Sequence, residues 1–213
     1  METKDIVKKG TTTVGIVCSD GIILAADKRA TAGNYIVTKQ VKKIYQIADN
    51  ASVTMAGTVS DAQLMVKLIK AETALKKMRT GRQPLIKEVA NLLGTLVYSN
   101  IRKMSMIPGI SHFVMGGFDE TGYHLYDIFA DGSVTLCDDF ISSGSGSVMA
   151  YGVLETLYKK GISVEEGAKL AVKCINAALQ RDSASGGGMD VVAITKGGIK
   201  TVLDKELNQK IEF

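Results

Sequence analysis

Tryptophan is absent from the chain, histidine occurs twice and cysteine three times, and each scarcity closes off a class of function. Without tryptophan, and without any run of Lys and Arg interleaved with aromatics, the sequence offers no surface built to stack and neutralise nucleic acid. Three widely spaced cysteines, Cys18, Cys137 and Cys174, form no CxxC pair, so neither a disulfide framework nor a zinc site is expected. Cys18 lies in the apolar run Val14-Gly15-Ile16-Val17-Cys18 and reads as a small core residue. Unpaired thiols of this kind point to a reducing, cytoplasmic home. No apolar stretch approaches the ~18 residues of a membrane span. The first ten residues, Met1 to Gly10, are charged and lack the apolar centre of a secretory signal. His112 and His124 lie in apparent strands, away from any G-x-S-x-G frame. They read as structural residues, and no metal ligand set is expected around them.

What remains is an ordinary balance for one well-cored domain. The chain has 213 residues, 46% hydrophobic and 23% charged, with a net charge of +4. The short basic clusters Lys8-Lys9, Lys42-Lys43 and Lys159-Lys160 read as solvated faces. β-Branched residues from Thr12 to Cys18, a Ser19-Asp20-Gly21 turn and the run Ile22 to Asp27 make a hairpin. Residues 28–39 are polar and read as irregular, with a turn at Gly33-Asn34. Two short strands over 43–47 and 52–57 follow. A helix is expected over 60–78, with Leu64, Leu68, Ala71 and Leu75 as its apolar stripe and lysines opposite. A second helix spans 85–104. Strand signals return over 112–117, 123–130 and 133–136. After a Ser/Gly-rich segment at 142–147, helices are expected over 148–160 and 163–181, the latter opened by a Ser163/Glu166 capping box. Strands over 189–195 and 199–203 close the chain. Segregated blocks of strands and helix pairs exclude a βαβ pattern. They predict an α+β fold, two mainly antiparallel sheets face to face with a helix pair on each outer side.

Catalytic chemistry must then come from residues other than histidine. The Ser142–Ser147 segment runs into a helix and could cradle an anion, but it lacks the Lys-Ser/Thr of a P-loop and the third glycine of a dinucleotide fingerprint. A flexible turn explains it equally well. Gly10-Thr11-Thr12-Thr13 stands at the head of the first strand. Three threonines there are ordinary strand formers when taken alone. Their neighbours change the reading. Gly10 leaves the bond before Thr11 unshielded, Asp27 ends the next strand, Lys43 begins the strand after the loop, and Gly57 could present a bare N–H to an oxyanion.

Gly10-Thr11-Thr12-Thr13-Val14-Gly15-Ile16, residues 24–31 (LAADKRAT), Met55-Ala56-Gly57, Gly144-Ser145-Gly146-Ser147 and residues 181–186 (RDSASG) together closely resemble the archaeal-type proteasome β-subunit family. The resemblance runs through essentially the whole chain, in order and with the family's spacing. It implies the αββα sandwich of the N-terminal nucleophile hydrolases and a threonine endopeptidase that uses no cofactor. It also implies that residues 1–10 are a propeptide, cut at Gly10–Thr11, and that 11–213 form one catalytic domain. Carried over by position, Thr11 would be the nucleophile and, through its α-amine, the general base. Asp27 and Lys43 would be its ion pair, Gly57 the oxyanion donor, and Ser145, Asp182 and Ser185 the support of the amine and of a water. Ala30, Val41, Tyr45 and Met55 would line the pocket for the residue before the cut bond, and the backbone at Thr31 and Gly57 would pair with an extended substrate. The chain departs from the family at Gly186-Gly187-Gly188, where many relatives place a polar residue between glycines. Implied partners are α subunits and other β subunits in stacked seven-membered rings, an ATPase acting through the α ring, and unfolded polypeptide. Nucleic acid and membrane are not among them. The alternatives are a non-catalytic structural β subunit, a different amidohydrolase of the same fold, or the simpler bacterial two-ring relative.

Overall fold

A computed structural model of the chain describes residues 10–106 and 108–207; the remainder of the expected propeptide, residues 1–9, lies outside them. One five-stranded antiparallel sheet has the order β10-β1-β2-β11-β12, built from Phe140–Ser143, Thr13–Cys18, Gly21–Asp27, Gly188–Thr195 and Gly198–Glu206. A second has the order β5-β6-β7-β8-β9, built from Ile44–Ala48, Ala51–Gly57, Ser111–Asp119, Gly122–Ile128 and Val134–Cys137. Helices α1 (Val59–Thr80) and α2 (Ile86–Ile101) cover the second sheet, and α3 (Ser147–Leu157) and α4 (Val164–Arg181) cover the first. This is the expected αββα sandwich.

Strand alternation explains the layering. Along β2, Ile23 and Ala25 face the α3/α4 layer, whereas Ile22, Leu24 and Ala26 face the opposite sheet. Along β7, Phe113 and Met115 face α1 and α2, and Val114 meets β2 between the sheets. Both faces of each central strand are covered, so β2 is buried throughout and reads as one apolar run despite its antiparallel pairing. Each fully buried Leu, Ile or Phe contributes about 1.5–3 kcal/mol of transfer free energy. At the start of α4 the expected capping box forms: Ser163 N donates to Glu166 Oε2 (3.0 Å) and Glu166 N to Ser163 Oγ (3.3 Å). Among the described residues no helix is long and apolar enough to cross a membrane.

Three expectations need correction. The 28–39 stretch is not irregular; Ala30–Ala32 and Tyr35–Thr38 pair as a hairpin, β3–β4, around the Gly33-Asn34 turn. The Ser/Gly-rich segment begins as strand β10, because Phe140 to Ser143 find partners along β1. The expected stripe of α1 faces outward: Leu64 is 48% exposed, Leu68 42% and Leu75 38%, while Ala62, Met65, Val66, Ile69 and Thr73 are buried. Both stripes have helical spacing, and packing decides between them. Thr73 is tolerated inside because its hydroxyl donates to Ile69 O (2.8 Å) and Ile47 O (3.0 Å).

Candidate active site

The β1–β2 hairpin register brings the head of one strand beside the end of the next. Thr13 pairs with Ala26, and Asp27 N donates to Thr12 O at 3.1 Å. Thr11, on the residue before, thus places its Oγ1 2.8 Å from Asp27 Oδ1. The β3–β4 hairpin carries the chain over to the second sheet, and Lys43, immediately before β5, reaches back between them. Its Nζ donates to Asp27 Oδ1 at 2.6 Å and to Thr11 Oγ1. Thr12 N (2.9 Å) completes the donors to Oδ1, while Arg29 N (3.0 Å) and Gly186 N (2.9 Å) donate to Oδ2. The carboxylate is fully buried and fixed from both oxygens.

Lys43 is 4% exposed. Burial pushes its ammonium below the ordinary lysine range, and the facing Asp27 carboxylate offsets only part of that effect. A lysine so placed gives up its proton more readily than an exposed one. The expectation that Lys42-Lys43 is a solvated pair therefore fails for Lys43. Lys42 alone is exposed, since successive side chains at a strand entrance take opposite faces.

A second polar group holds the Thr11 main chain. Thr11 N donates to Ser145 Oγ at 3.2 Å, and Ser145 Oγ donates to Asp182 Oδ2 at 2.6 Å. Ser185 Oγ also donates to Asp182 Oδ2 (2.6 Å) and lies 2.6 Å from Thr12 Oγ1. Of the three residues expected to support the amine, Ser145 touches the Thr11 nitrogen, here the amide of the Gly10–Thr11 bond. Asp182 acts through Ser145, and Ser185 secures the neighbouring Thr12. The 186–188 glycine run is tied down from both sides, by Lys28 N to Gly186 O (3.0 Å) and Leu207 N to Gly187 O (3.1 Å).

Two glycines are there because no other residue fits. A Cβ on Gly10 would lie 1.8 Å from Ala184 Cβ and 2.7 Å from Ser145 Oγ. Gly57 has φ +105°, and a Cβ there would stand 2.3 Å from Ile110 O. Between them lies a cavity of about 30 Å³ at the Thr11 hydroxyl. Ala30, Val41 and Met55 line it, Thr31 stands beside them, and Gly10 forms part of its wall. Thr31 Oγ1 accepts from Gly10 N at 3.2 Å. Tyr45 is not among the lining residues. It packs toward the α1/α2 core and donates its hydroxyl to Lys42 O at 2.8 Å. Val59 and Ala62 from the first turn of α1, together with Arg29, take the place assigned to it. Sequence reasoning missed these, although the helix starting two residues after Gly57 was a usable signal. His124 is a satisfied structural residue, 2.8 Å from Thr121 Oγ1 and 3.2 Å from Asp119 Oδ1.

Two antiparallel sheets stacked between helix pairs place the chain in the N-terminal nucleophile hydrolase class of folds. The profile of the family described as proteasome subunit matches residues 7–194. The chain belongs to the proteasome subunit family, whose members assemble with other subunits into the proteasome core. It is 45% identical to a proteasome subunit beta of Ferroglobus placidus over 98% of its length and 97% of that protein. A proteasome subunit beta of Archaeoglobus profundus is 44% identical over 98% of the chain and 95% of its own length. One from Archaeoglobus fulgidus is 43% identical over 95% and 93%.

Proposed function

We propose that this chain is a catalytic β subunit of a proteasome core and a threonine endopeptidase that activates itself by cutting the Gly10–Thr11 bond. The observation that carries the reading is the Thr11 hydroxyl held between the Lys43 Nζ and the buried Asp27 carboxylate. A non-catalytic structural β subunit would have no use for that arrangement. It would equally have no use for a glycine packed against Ala184 at the bond to be cut.

Self-cleavage comes first. The Thr11 Oγ1 attacks the Gly10 carbonyl carbon as Lys43 takes the hydroxyl proton; the C–N bond then breaks, the proton passes to the departing nitrogen, and the amide has become an ester on Thr11 with a free amine. Water then hydrolyses the ester, freeing residues 1–10 as an acid and leaving Thr11 with a primary amine. That amine, with a pKa of about 7.7–8.0, serves as general base in later turnovers, directly or through water, supported by Ser145, Asp182 and Ser185. The N–H of Gly57 receives the developing oxyanion. The substrate lies extended, its backbone pairing along Thr31 and Gly57. Ala30, Val41 and Met55 contact the side chain before the cut bond. Residues 11–213 act as one catalytic domain without a cofactor.

The working particle is a cytoplasmic stack of seven-membered rings, β rings flanked by α rings, fed with unfolded polypeptide by an ATPase that engages the α ring. The outward stripe of α1, continued by Met78 at 73% exposure, supports an assembled subunit over a solitary one, since soluble monomers seldom leave such a seam open.

Peptides differing only in the residue before the scissile bond test the activity. The assembled particle is expected to prefer an apolar residue there over a charged one by at least about tenfold, because the lining presents Val41, Met55 and Ala62. Preference for a charged residue, or no hydrolysis, would contradict the proposal. Self-cleavage has its own pH dependence. It requires Lys43 uncharged, and the uncharged fraction rises with pH. The rate should therefore climb as pH increases and level off below the ordinary lysine value of 10.5. A rate that falls with rising pH would remove Lys43 as the base.

A further inference from the structure

His112 is joined to two side chains from other strands. Its Nδ1 lies 2.7 Å from Ser143 Oγ on β10, and its Nε2 is bonded to Asp127 Oδ1 on β8. The Phe129 ring meets the imidazole edge-on at 4.9 Å. Sequence separations of 15 and 31 residues kept the group out of sight in the sequence. The order acid, imidazole, hydroxyl is that of a hydrolase triad, but Ser143 is 3% exposed and paired to Thr13 on β1. No substrate carbonyl can reach it.

The group instead links the two sheets. His112 belongs to the second sheet and Ser143 to the first, where β10 is an edge strand with β1 as its neighbour. Asp127 holds the imidazole through Nε2, and Nδ1 shares a hydrogen bond with the Ser143 hydroxyl. Ser143 is the last residue of β10. The turn that follows carries both groups holding the Thr11 main chain: Ser145 Oγ on Thr11 N, and Gly146 N donating to Thr11 O at 3.3 Å. The far end of that turn is anchored by α3. Its near end leaves β10 at Ser143, which is held by the ladder to β1, by its neighbour Ser142 (Oγ to Thr13 O, 2.9 Å) and by the bond to His112.

We propose that Asp127, His112 and Ser143 brace the 144–146 turn across the sandwich, making His112 a positioning residue for the Thr11 amine. The proposal rests on the reading of Thr11 as nucleophile. None of the three side chains lines the cavity; His112 meets its wall only through the backbone ladder, as the cross-strand partner of Ala56, so loss of the side-chain brace should alter the chemical step more than binding.

The test is steady-state peptide hydrolysis by the full particle, co-assembled with α subunits. His112→Ala and Ser143→Ala should each lower kcat about tenfold with KM within about twofold, as expected for a modest misplacement of a reacting group. The double variant should be no slower than either single one, because both remove the same hydrogen bond. His112→Asn, whose amide reaches the Nδ1 position, should recover most of the loss. Ser143→Ala removes a single oxygen and serves if His112→Ala does not assemble. Unchanged kcat in Ser143→Ala, a rise in KM that accounts for the loss, or a double variant showing the product of the single effects would overturn the brace. An inactive wild-type particle would instead overturn the nucleophile itself.

Discussion

Thr11→Ala should give a subunit that folds and assembles, hydrolyses peptide at least ~10³-fold more slowly than wild type, and retains its first ten residues. The substitution removes the only atom that the account assigns to attack, both on the Gly10 carbonyl and on substrate. Its structural cost is small. Lys43 Nζ keeps its own 2.6 Å contact with Asp27 Oδ1, and the carboxylate retains the main-chain donors Thr12, Arg29 and Gly186. Loss of the threonine hydroxyl should therefore cost only about 1 kcal/mol. Peptidase assay and particle size on gel filtration separate the two effects. Activity near wild type would rule out Thr11.

Lys43→Ala is expected to abolish both self-cleavage and turnover, since both draw on the same hydroxyl, and it should also destabilise the subunit. It leaves the fully buried Asp27 carboxylate without its countercharge. Breaking a buried pair from one side costs about 3–5 kcal/mol, and the three main-chain donors on Asp27 place the expected value toward the lower end. For a subunit of this size that is a fall in Tm of roughly 2–4 °C per kcal/mol. Rates measured well below the lowered Tm keep the two effects apart. A Lys43→Ala chain that still removes its own leader would show that another group takes the Thr11 proton.

The layered fold was legible because element order and strand alternation carry it. The apolar run of β2 up to Asp27 and the helix pairs between strand blocks left few alternatives. The orientation of α1 was not legible. Its two stripes are equally periodic, and only contact with β5 and β6 selects Met65 and Ile69 over Leu64 and Leu68. The β3–β4 hairpin escaped because it is a separate two-stranded sheet of only three and four residues, ATA and YIVT, too short to show alternation among the polar residues that flank it. At the site, Thr11 and Asp27 lie in the matched motifs and Lys43 was carried over by position from the same resemblance, whereas composition on its own left Lys43 beside Lys42 as a solvated lysine. Tyr45 was misassigned because which residue of a strand faces a pocket depends on the helix packed over it. Val59 and Ala62 fill that wall from α1.

The central claim is that Thr11 cleaves substrate only as a free N-terminus. Intact-mass measurement of this chain, isolated from the assembled and peptidase-active particle, tests it most directly. The account predicts a mass that begins at Thr11, with residues 1–10 gone. A chain still beginning at Met1 in an active particle would contradict it.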